Sequence, residues 1–103
     1  MLTKVTGVTF SNEDGTSRRS IIASMSESDK IELERDPYNP YDRNAVKVNV
    51  IKNGKSLQIG FLEKELAAMV SPQMRRGTTF NAVCTGCGIW NDRPFCEIDI
   101  LGL

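Results

Sequence analysis

The chain contains no histidine, and this absence removes several classes of enzyme. Ser-His and Cys-His nucleophile pairs need an imidazole as general base, so neither arrangement is available. The sequence also has no glycine-rich phosphate loop of the P-loop or dinucleotide-binding type. We therefore expect no enzymatic activity and no bound cofactor in these 103 residues.

The chain also lacks net charge, because 13 basic residues balance 13 acidic ones. A broad electrostatic grip on a nucleic-acid duplex needs a strongly basic surface, so that mode of binding is disfavoured. A small pocket for one strand end needs only a few cations and remains possible. No apolar run is long enough to span a bilayer, and residues 1–4 show no signal-peptide pattern. We expect a cytoplasmic protein with no membrane contact.

The three cysteines are an odd number, which excludes a complete internal disulfide framework. Cys84 and Cys87 have the spacing of half a zinc site, and Cys96 would be a third ligand, but no histidine exists to supply a fourth. The favoured alternative is that they are small apolar residues of a hairpin. If the turn of this hairpin lies at 91–92, Cys87 would lie opposite Cys96 on the partner strand. Cys84 would then point to the opposite face of the hairpin from Cys87. We expect no metal.

The apolar pattern predicts one small, mainly antiparallel β-barrel that occupies residues 1–103 as a single domain. Clean alternation over 30–35 places Ile31 and Leu33 inward. Gly7 lies in the middle of the first predicted strand, where glycine usually marks a bend or a close backbone approach. The predicted strands lie at residues 4–10, 18–23, 30–35, 79–89 and 95–101, together with a hairpin around 53–54.

That hairpin has the strongest local signal, because Asn-Gly favours a two-residue turn. Such a turn would pair Val50 with Leu57 and Val48 with Ile59, which places all four on one apolar face. One helix is predicted over 63–70. Its apolar face would contain Leu62, Leu66, Met69 and Val70, with an interruption at Ser71-Pro72 and a further helical turn that ends at Gly77.

The segment 36–45 predicts a stiff loop. Pro37 and Pro40 each fix φ and hold the preceding residue extended. Asp42 and Asn44 can fold their side chains back onto backbone N–H groups. Asp36 and Asp42 could also form a carboxylate pair for a metal or for acid–base chemistry, but aspartates in such turns more often accept from backbone amides.

This loop, Arg-Asp-Pro-Tyr-Asn-Pro-Tyr-Asp-Arg-Asn-Ala over 35–45, resembles the motif of the HIRAN domain family. The strand with a central glycine at 5–10 and the Gly-Phe-Leu-Glu-Lys-Glu-Leu-Ala segment at 60–67 match the rest of that pattern in order. The resemblance implies a small antiparallel OB/SH3-like β-barrel with one short helix plus a helical turn. It also implies binding of single-stranded DNA with a free 3′ end, in DNA repair or processing, beside a separate helicase or nuclease protein.

The resemblance assigns five DNA-binding residues. Tyr41 matches a tyrosine that stacks on the terminal base, and Phe10 stands where the family offers a second aromatic ring. Asp42 matches an aspartate that accepts a hydrogen bond from the 3′-hydroxyl. Asn39 matches a polar residue of the same loop, and Lys64 a lysine near the backbone phosphates.

The sequence departs from this pattern at two positions. Thr9 stands where a DNA-binding relative has arginine, and Phe61 replaces a polar residue, so two phosphate contacts are missing. Another arginine could compensate, but the sequence does not place any of the candidates near the pocket: Arg18, Arg19, Arg43, Arg75 and Arg76. For Tyr41 and Phe10 the alternative is packing in the barrel, and for Lys64 it is an ordinary solvated helix face. The alternative function is a protein-interaction module with a degenerate DNA pocket.

Overall fold

Six strands and two helices make up the computed structural model, which describes residues 1–103. The strands are β1 (Leu2–Lys4), β2 (Lys30–Arg35), β3 (Val46–Lys52), β4 (Lys55–Phe61), β5 (Asn81–Trp90) and β6 (Arg93–Ile100). The helices are α1 (Arg18–Ala23), between β1 and β2, and α2 (Lys64–Arg75), between β4 and β5. All strands belong to one antiparallel sheet in the order β1-β6-β5-β2-β3-β4, so the predicted mainly β, antiparallel class is confirmed.

The core forms on one face of this sheet from 18 buried residues. Ile31 and Leu33 of β2 are buried as their alternation predicts, and Val48 and Val50 of β3 are fully buried beside them. Strand alternation sends the residues between them to the outer face, where Lys47 is half-buried. The strands β3 and β4 thus combine an apolar inner face with a polar outer one.

Both predicted hairpin turns are confirmed. Asn53 and Gly54 have φ of 51° and 78°, and Asn91 and Asp92 have φ of 49° and 63°. Two central residues with positive φ are the requirement of the type I′ turn, whose twist matches that of the flanking strands. The second turn sets the register that places Cys87 opposite Cys96, as expected.

The register of the β3–β4 hairpin was predicted only in part. Val50 pairs with Leu57 as expected, but the pairing shifts between Val48 and Asn49, and Val48 lies opposite Gly60. The expected pair of Val48 with Ile59 is therefore wrong. A β-bulge adds one residue to one strand, so the simple count from the turn fails beyond it.

Residues 18–23 were predicted as a strand and are the helix α1 instead. The Ser17 Oγ accepts a hydrogen bond from the Ser20 backbone N–H at 3.1 Å, which caps the helix at its start. Six residues are too few for apolar spacing to separate the two periods, so the cap and the burial of Ile22 against the sheet determine the outcome.

The first predicted strand, 4–10, is also shorter than expected. Strand β1 ends at Lys4, and only Thr6 makes a further isolated bridge. The chain then turns at Gly7, whose φ is 68°, and the Phe10 N–H donates to the Gly7 carbonyl at 3.3 Å. The glycine therefore marks a turn that ends the strand and redirects residues 8–10.

Helix α2 runs from Lys64 to Arg75 without the expected interruption, and Pro72 lies inside it. Ser71 is buried, and its Oγ accepts from the Arg35 Nε at 3.3 Å, so it packs against β2 and does not begin a new turn. Met69 was expected on the buried face but is 44% exposed, and Ala67 is buried in its place. Neither α1 nor α2 is long and apolar enough to cross a membrane.

The two edges of the sheet meet at one point. Thr6, beyond the end of edge strand β1, exchanges two backbone hydrogen bonds with Phe61 of edge strand β4, at 2.8 and 2.9 Å. A Cβ at Gly60 would lie 2.2 Å from the Thr6 carbonyl oxygen and 2.7 Å from Val5 Cγ1. The sheet curls into a barrel-like form at this bridge, and the bridge requires glycine at position 60.

Replacing Gly60 by alanine should therefore destabilise the fold by at least about 1–3 kcal/mol, the range for an added carbon in a filled space. Thermal or urea unfolding measures the loss. Gly86→Ala is the matched control, because a Cβ there meets nothing within 4 Å. Equal stability of the two variants would contradict the bridge between β1 and β4.

Candidate functional site

The loop between β2 and β3 is closed by its own backbone. The Asp36 N–H donates to the Ala45 carbonyl at 2.9 Å, and the Ala45 N–H donates to the Asp42 carbonyl at 3.0 Å. The Asp42 Oδ1 accepts from the Asn44 N–H at 2.9 Å, as the sequence predicted for this aspartate. The Asn44 side chain, which was expected to do the same, makes no hydrogen bond. The loop is non-helical, as predicted, and the hydrogen bonds of Asp36, Asp42 and Ala45 join its two ends.

Asn39 is the centre of this loop. Its Oδ1 accepts from the backbone N–H groups of Tyr41 and Asp42, at 2.9 and 3.1 Å. Its Nδ2 donates to the Asp36 Oδ2 at 3.1 Å. One amide side chain thus ties together both halves of the loop and fixes the backbone that carries the Tyr41 ring.

Three aromatic rings of this region are exposed. Tyr38 and Tyr41 on the loop are 95% and 94% exposed, and Phe10 on the segment after β1 is 69% exposed. The alternative that Tyr41 and Phe10 are packed in the barrel is therefore wrong. Exposed rings held by rigid backbone offer flat apolar faces to a ligand.

All three rings line one cavity of about 550 Å³. Of the five residues that the resemblance assigns, Phe10, Asn39 and Tyr41 line it. Asp42 and Lys64 are not among its lining residues. Asp42 is half-buried next to Tyr41, and Lys64 is exposed at the first residue of α2.

Two other carboxylates line the cavity, those of Glu13 and Asp36, and the Asp36 Oδ2 accepts a hydrogen bond from the Asn39 Nδ2. No group of three histidine, cysteine, aspartate or glutamate side chains, at Asp36 and Asp42 or elsewhere, is arranged to hold a metal ion. The Asp36 and Asp42 carboxylates each accept a hydrogen bond within the loop, as aspartates in turns usually do.

Two cationic side chains, Arg18 and Lys47, also line the cavity. The sequence alone could not place them there. Arg18 comes from α1, and its guanidinium lies 5.3 Å from the centroid of the Phe61 ring. Lys47 is the cross-strand neighbour of Phe61 on the outer face of β3 and β4. Lys47 follows the loop directly in the chain, whereas the approach of Arg18 depends on the sheet closing, which is a long-range event without a local sequence signal.

The three cysteines lie away from this cavity, in the hairpin of β5 and β6. A bulge between Cys84 and Gly86 adds one residue, so Cys84 faces the same side as Cys87 and Cys96; the expected opposite facing is wrong. Burial and then the Cys84 thiol raise the pKa of Cys87 to about 11, and the same two causes raise the pKa of Cys96. All three thiols are free; Cys84 and Cys96 belong to the core, and Cys87 packs against it.

Comparison with known proteins gives one family and a set of relatives. Residues 6–97 match the family model described as HIRAN domain. A stretch of 47 residues is 47% identical to helicase-like transcription factor of Oryctolagus cuniculus and of Homo sapiens, and 43% identical to that of Mus musculus. The stretch is 46% of this chain and 4% of each relative, so the chain corresponds to a small part of those proteins.

Solved structures show the same fold. The crystal structure of the HIRAN domain of human HLTF is similar with a TM-score of 0.74 and 25% identity, over 97% of this chain and 71% of that one. The NMR structure of the HLTF HIRAN domain in its DNA-bound conformation gives 0.63 and 27%, over 97% and 70%. A Lactobacillus plantarum protein at 15% identity, with a TM-score of 0.73 over 94% and 85%, shares the fold alone.

Replacing Asn39 by alanine should loosen the loop, because the Tyr41 and Asp42 amides would lose their shared acceptor. We expect faster hydrogen exchange at these two amides, since exchange reports local opening. Asn44→Ala is the matched control, because it keeps the backbone N–H that donates to Asp42. Unchanged exchange in Asn39→Ala would contradict this role of Asn39.

Proposed function

The chain belongs to the HIRAN domain family, and on that premise we propose that it binds single-stranded DNA at a free 3′ end. The observation that carries the proposal is the pair of exposed rings, Phe10 and Tyr41, that line one cavity. A single-stranded end is held by stacking its bases on aromatic faces, with a few cations at its phosphates. A similar HIRAN domain has been solved in a DNA-bound conformation, which supports this use of the fold.

In the proposed complex the terminal base lies between Phe10 and Tyr41. The Asn39 hydrogen bonds hold the Tyr41 backbone before the ligand arrives, so little ordering is needed on binding. The cavity of about 550 Å³ is within the range of small-ligand pockets, which fits one nucleotide at the end of a strand. Stacking is tolerant of sequence because every base has a π-face.

The 3′-hydroxyl is the proposed partner of Asp42. A carboxylate accepts hydrogen bonds and repels phosphate, so it favours a strand end that offers an O–H group. The Asp42 Oδ1 already accepts from Asn44, and no hydrogen bond occupies its Oδ2. Lys64, exposed at the start of α2, would lie toward a phosphate further along the strand.

The module would act beside an enzyme and would not itself be one. The relatives named helicase-like transcription factor contain the matching stretch as 4% of their length. We propose that the helicase or nuclease activity with which this domain works, in DNA repair or processing, lies outside these 103 residues.

Replacing Tyr41 by alanine should weaken single-strand binding by roughly 1–3 kcal/mol for any base sequence. Tyr41→Phe is the matched control, because it keeps the stacking ring and removes only the hydroxyl. Fluorescence anisotropy with a labelled oligonucleotide at fixed, low salt measures both. If wild-type protein does not bind any single strand, the proposal is wrong and the protein-interaction alternative replaces it.

Wild-type protein should prefer an oligonucleotide that ends in a 3′-hydroxyl over the same one with a 3′-phosphate. Asp42→Ala should lose most of this preference, and the two proteins with the two ligands form a double-mutant cycle for this contact. Asp36→Asn is measured in parallel, because Asp36 also lines the cavity. Loss of the preference in Asp36→Asn alone would move the hydroxyl contact to Asp36.

A further inference from the structure

Arg18 is a buried cation without a counter-ion. It is 7% exposed at the first residue of α1. The three ion pairs of the molecule involve the N-terminal ammonium, Arg19 and Lys52, and no carboxylate lies within 4.0 Å of Arg18. Removing a charge from water without a partner is costly, so such a group indicates either a structural need or an absent anion.

The guanidinium is held in place from three sides. Its Nε donates to the Asn12 Oδ1 at 2.7 Å and its Nη1 to the Gly7 carbonyl at 2.8 Å. Its plane lies over the Phe61 ring at 5.3 Å, a cation–π contact. These contacts fix the orientation of the group without neutralising its charge.

The remaining nitrogen, Nη2, has no acceptor in the protein. No buried side-chain nitrogen or oxygen is left without a partner, so Nη2 reaches accessible space. Arg18 lines the cavity that Phe10 and Tyr41 also line, so its unpaired Nη2 is available to a ligand there. Burial lowers the pKa of Arg18, yet arginine stays protonated in proteins, so the cavity always has this cation at its wall.

Building on the proposed DNA-binding function, we propose that Arg18 binds the phosphate next to the terminal base, at the wall of the cavity, while Lys64 would contact a phosphate further along the strand. The Arg18 Nη2 donates to a non-bridging oxygen of the internucleotide phosphate next to that base. The acidic Glu13 and Asp36 also line the cavity and balance Arg18 and Lys47, so the site has no broad positive field. Within the cavity, the phosphate is then recognised by one directed hydrogen bond from Arg18. Such a contact can hold a single internucleotide linkage near the end of a strand.

Salt dependence separates this role from a structural one. Each phosphate contact on a single strand contributes roughly 0.7 to the slope of log affinity against log salt. Arg18→Gln should lower that slope by about this amount. Arg19→Gln is the matched control, because it removes the same charge one residue away, from an exposed side chain that binds Asp92. Tyr41→Ala should weaken binding with the slope unchanged.

A second arm locates the phosphate. The last three linkages of the oligonucleotide are replaced singly by neutral methylphosphonate. Wild-type protein should lose roughly 10-fold in affinity at one linkage, the size expected for a hydrogen bond to a charged group, and Arg18→Gln should lose nothing further there. An unchanged slope in Arg18→Gln, with the same methylphosphonate loss as wild type, would overturn the proposal and leave Arg18 a structural role.

If Arg18→Gln does not fold, NMR of the wild-type protein can still test the phosphate contact. The Arg18 side-chain N–H signals in NMR should shift with the phosphodiester strand and stay in place with the methylphosphonate strand that binds weakly. Equal shifts with both strands would overturn the phosphate contact. Failure of the wild-type protein to bind any strand would instead overturn the DNA-binding function itself, so the two failures are distinguishable.

Discussion

The close approach of Gly60 to the Thr6 carbonyl is the constraint on which the site depends. A Cβ at position 60 would come within 2.2 Å of that oxygen, so only glycine lets the two sheet edges join. The bridge that follows places Phe61 next to the turn at Gly7. It also brings the segment that carries Phe10 to the outer face of β3 and β4, opposite the loop of Tyr41. The site is therefore a product of barrel closure as much as of any single motif.

The local sequence predicted most of the strands and both hairpin turns. It predicted few of the contacts between distant parts of the chain. The alternation of β2 and the two turns with positive φ could be identified because each depends on a few adjacent residues. The errors share one cause, which is that tertiary contacts override local preference. Residues 18–23 form a helix because Ser17 caps it and Ile22 packs on the sheet, and α2 continues through Pro72 because Ser71 is buried against Arg35. Two bulges, which cannot be found by counting residues from a turn, changed the strand pairing. One moved Ile59 out of its expected pair with Val48, and the other put Cys84 on the same face as Cys87.

The residues of the candidate site that lie on the loop could be predicted from the sequence. Those that reach the site only through the tertiary fold could not. The loop motif led to Tyr41 and Asn39, and the exposure of the ring and the hydrogen bonds of the amide explain why each is there. Arg18 could not be placed at the site, because its segment resembled a strand and the Phe61 ring that it contacts is distant in the sequence. Thr9 and Phe61 had suggested lost phosphate contacts. The Phe61 ring instead supports the guanidinium of Arg18, so a cation reaches the cavity by another route.

The central claim is that one cavity, between the loop of Tyr41 and the segment of Phe10, receives the end of a single strand. Amide chemical-shift mapping with a short oligonucleotide that has a free 3′-hydroxyl tests it most directly. The account predicts that the largest shifts fall on residues lining that cavity, with Gly7, Tyr41 and Phe61 among them. Shifts concentrated instead around Phe80, in the separate groove between β2 and the end of α2, or no shifts at all, would contradict it.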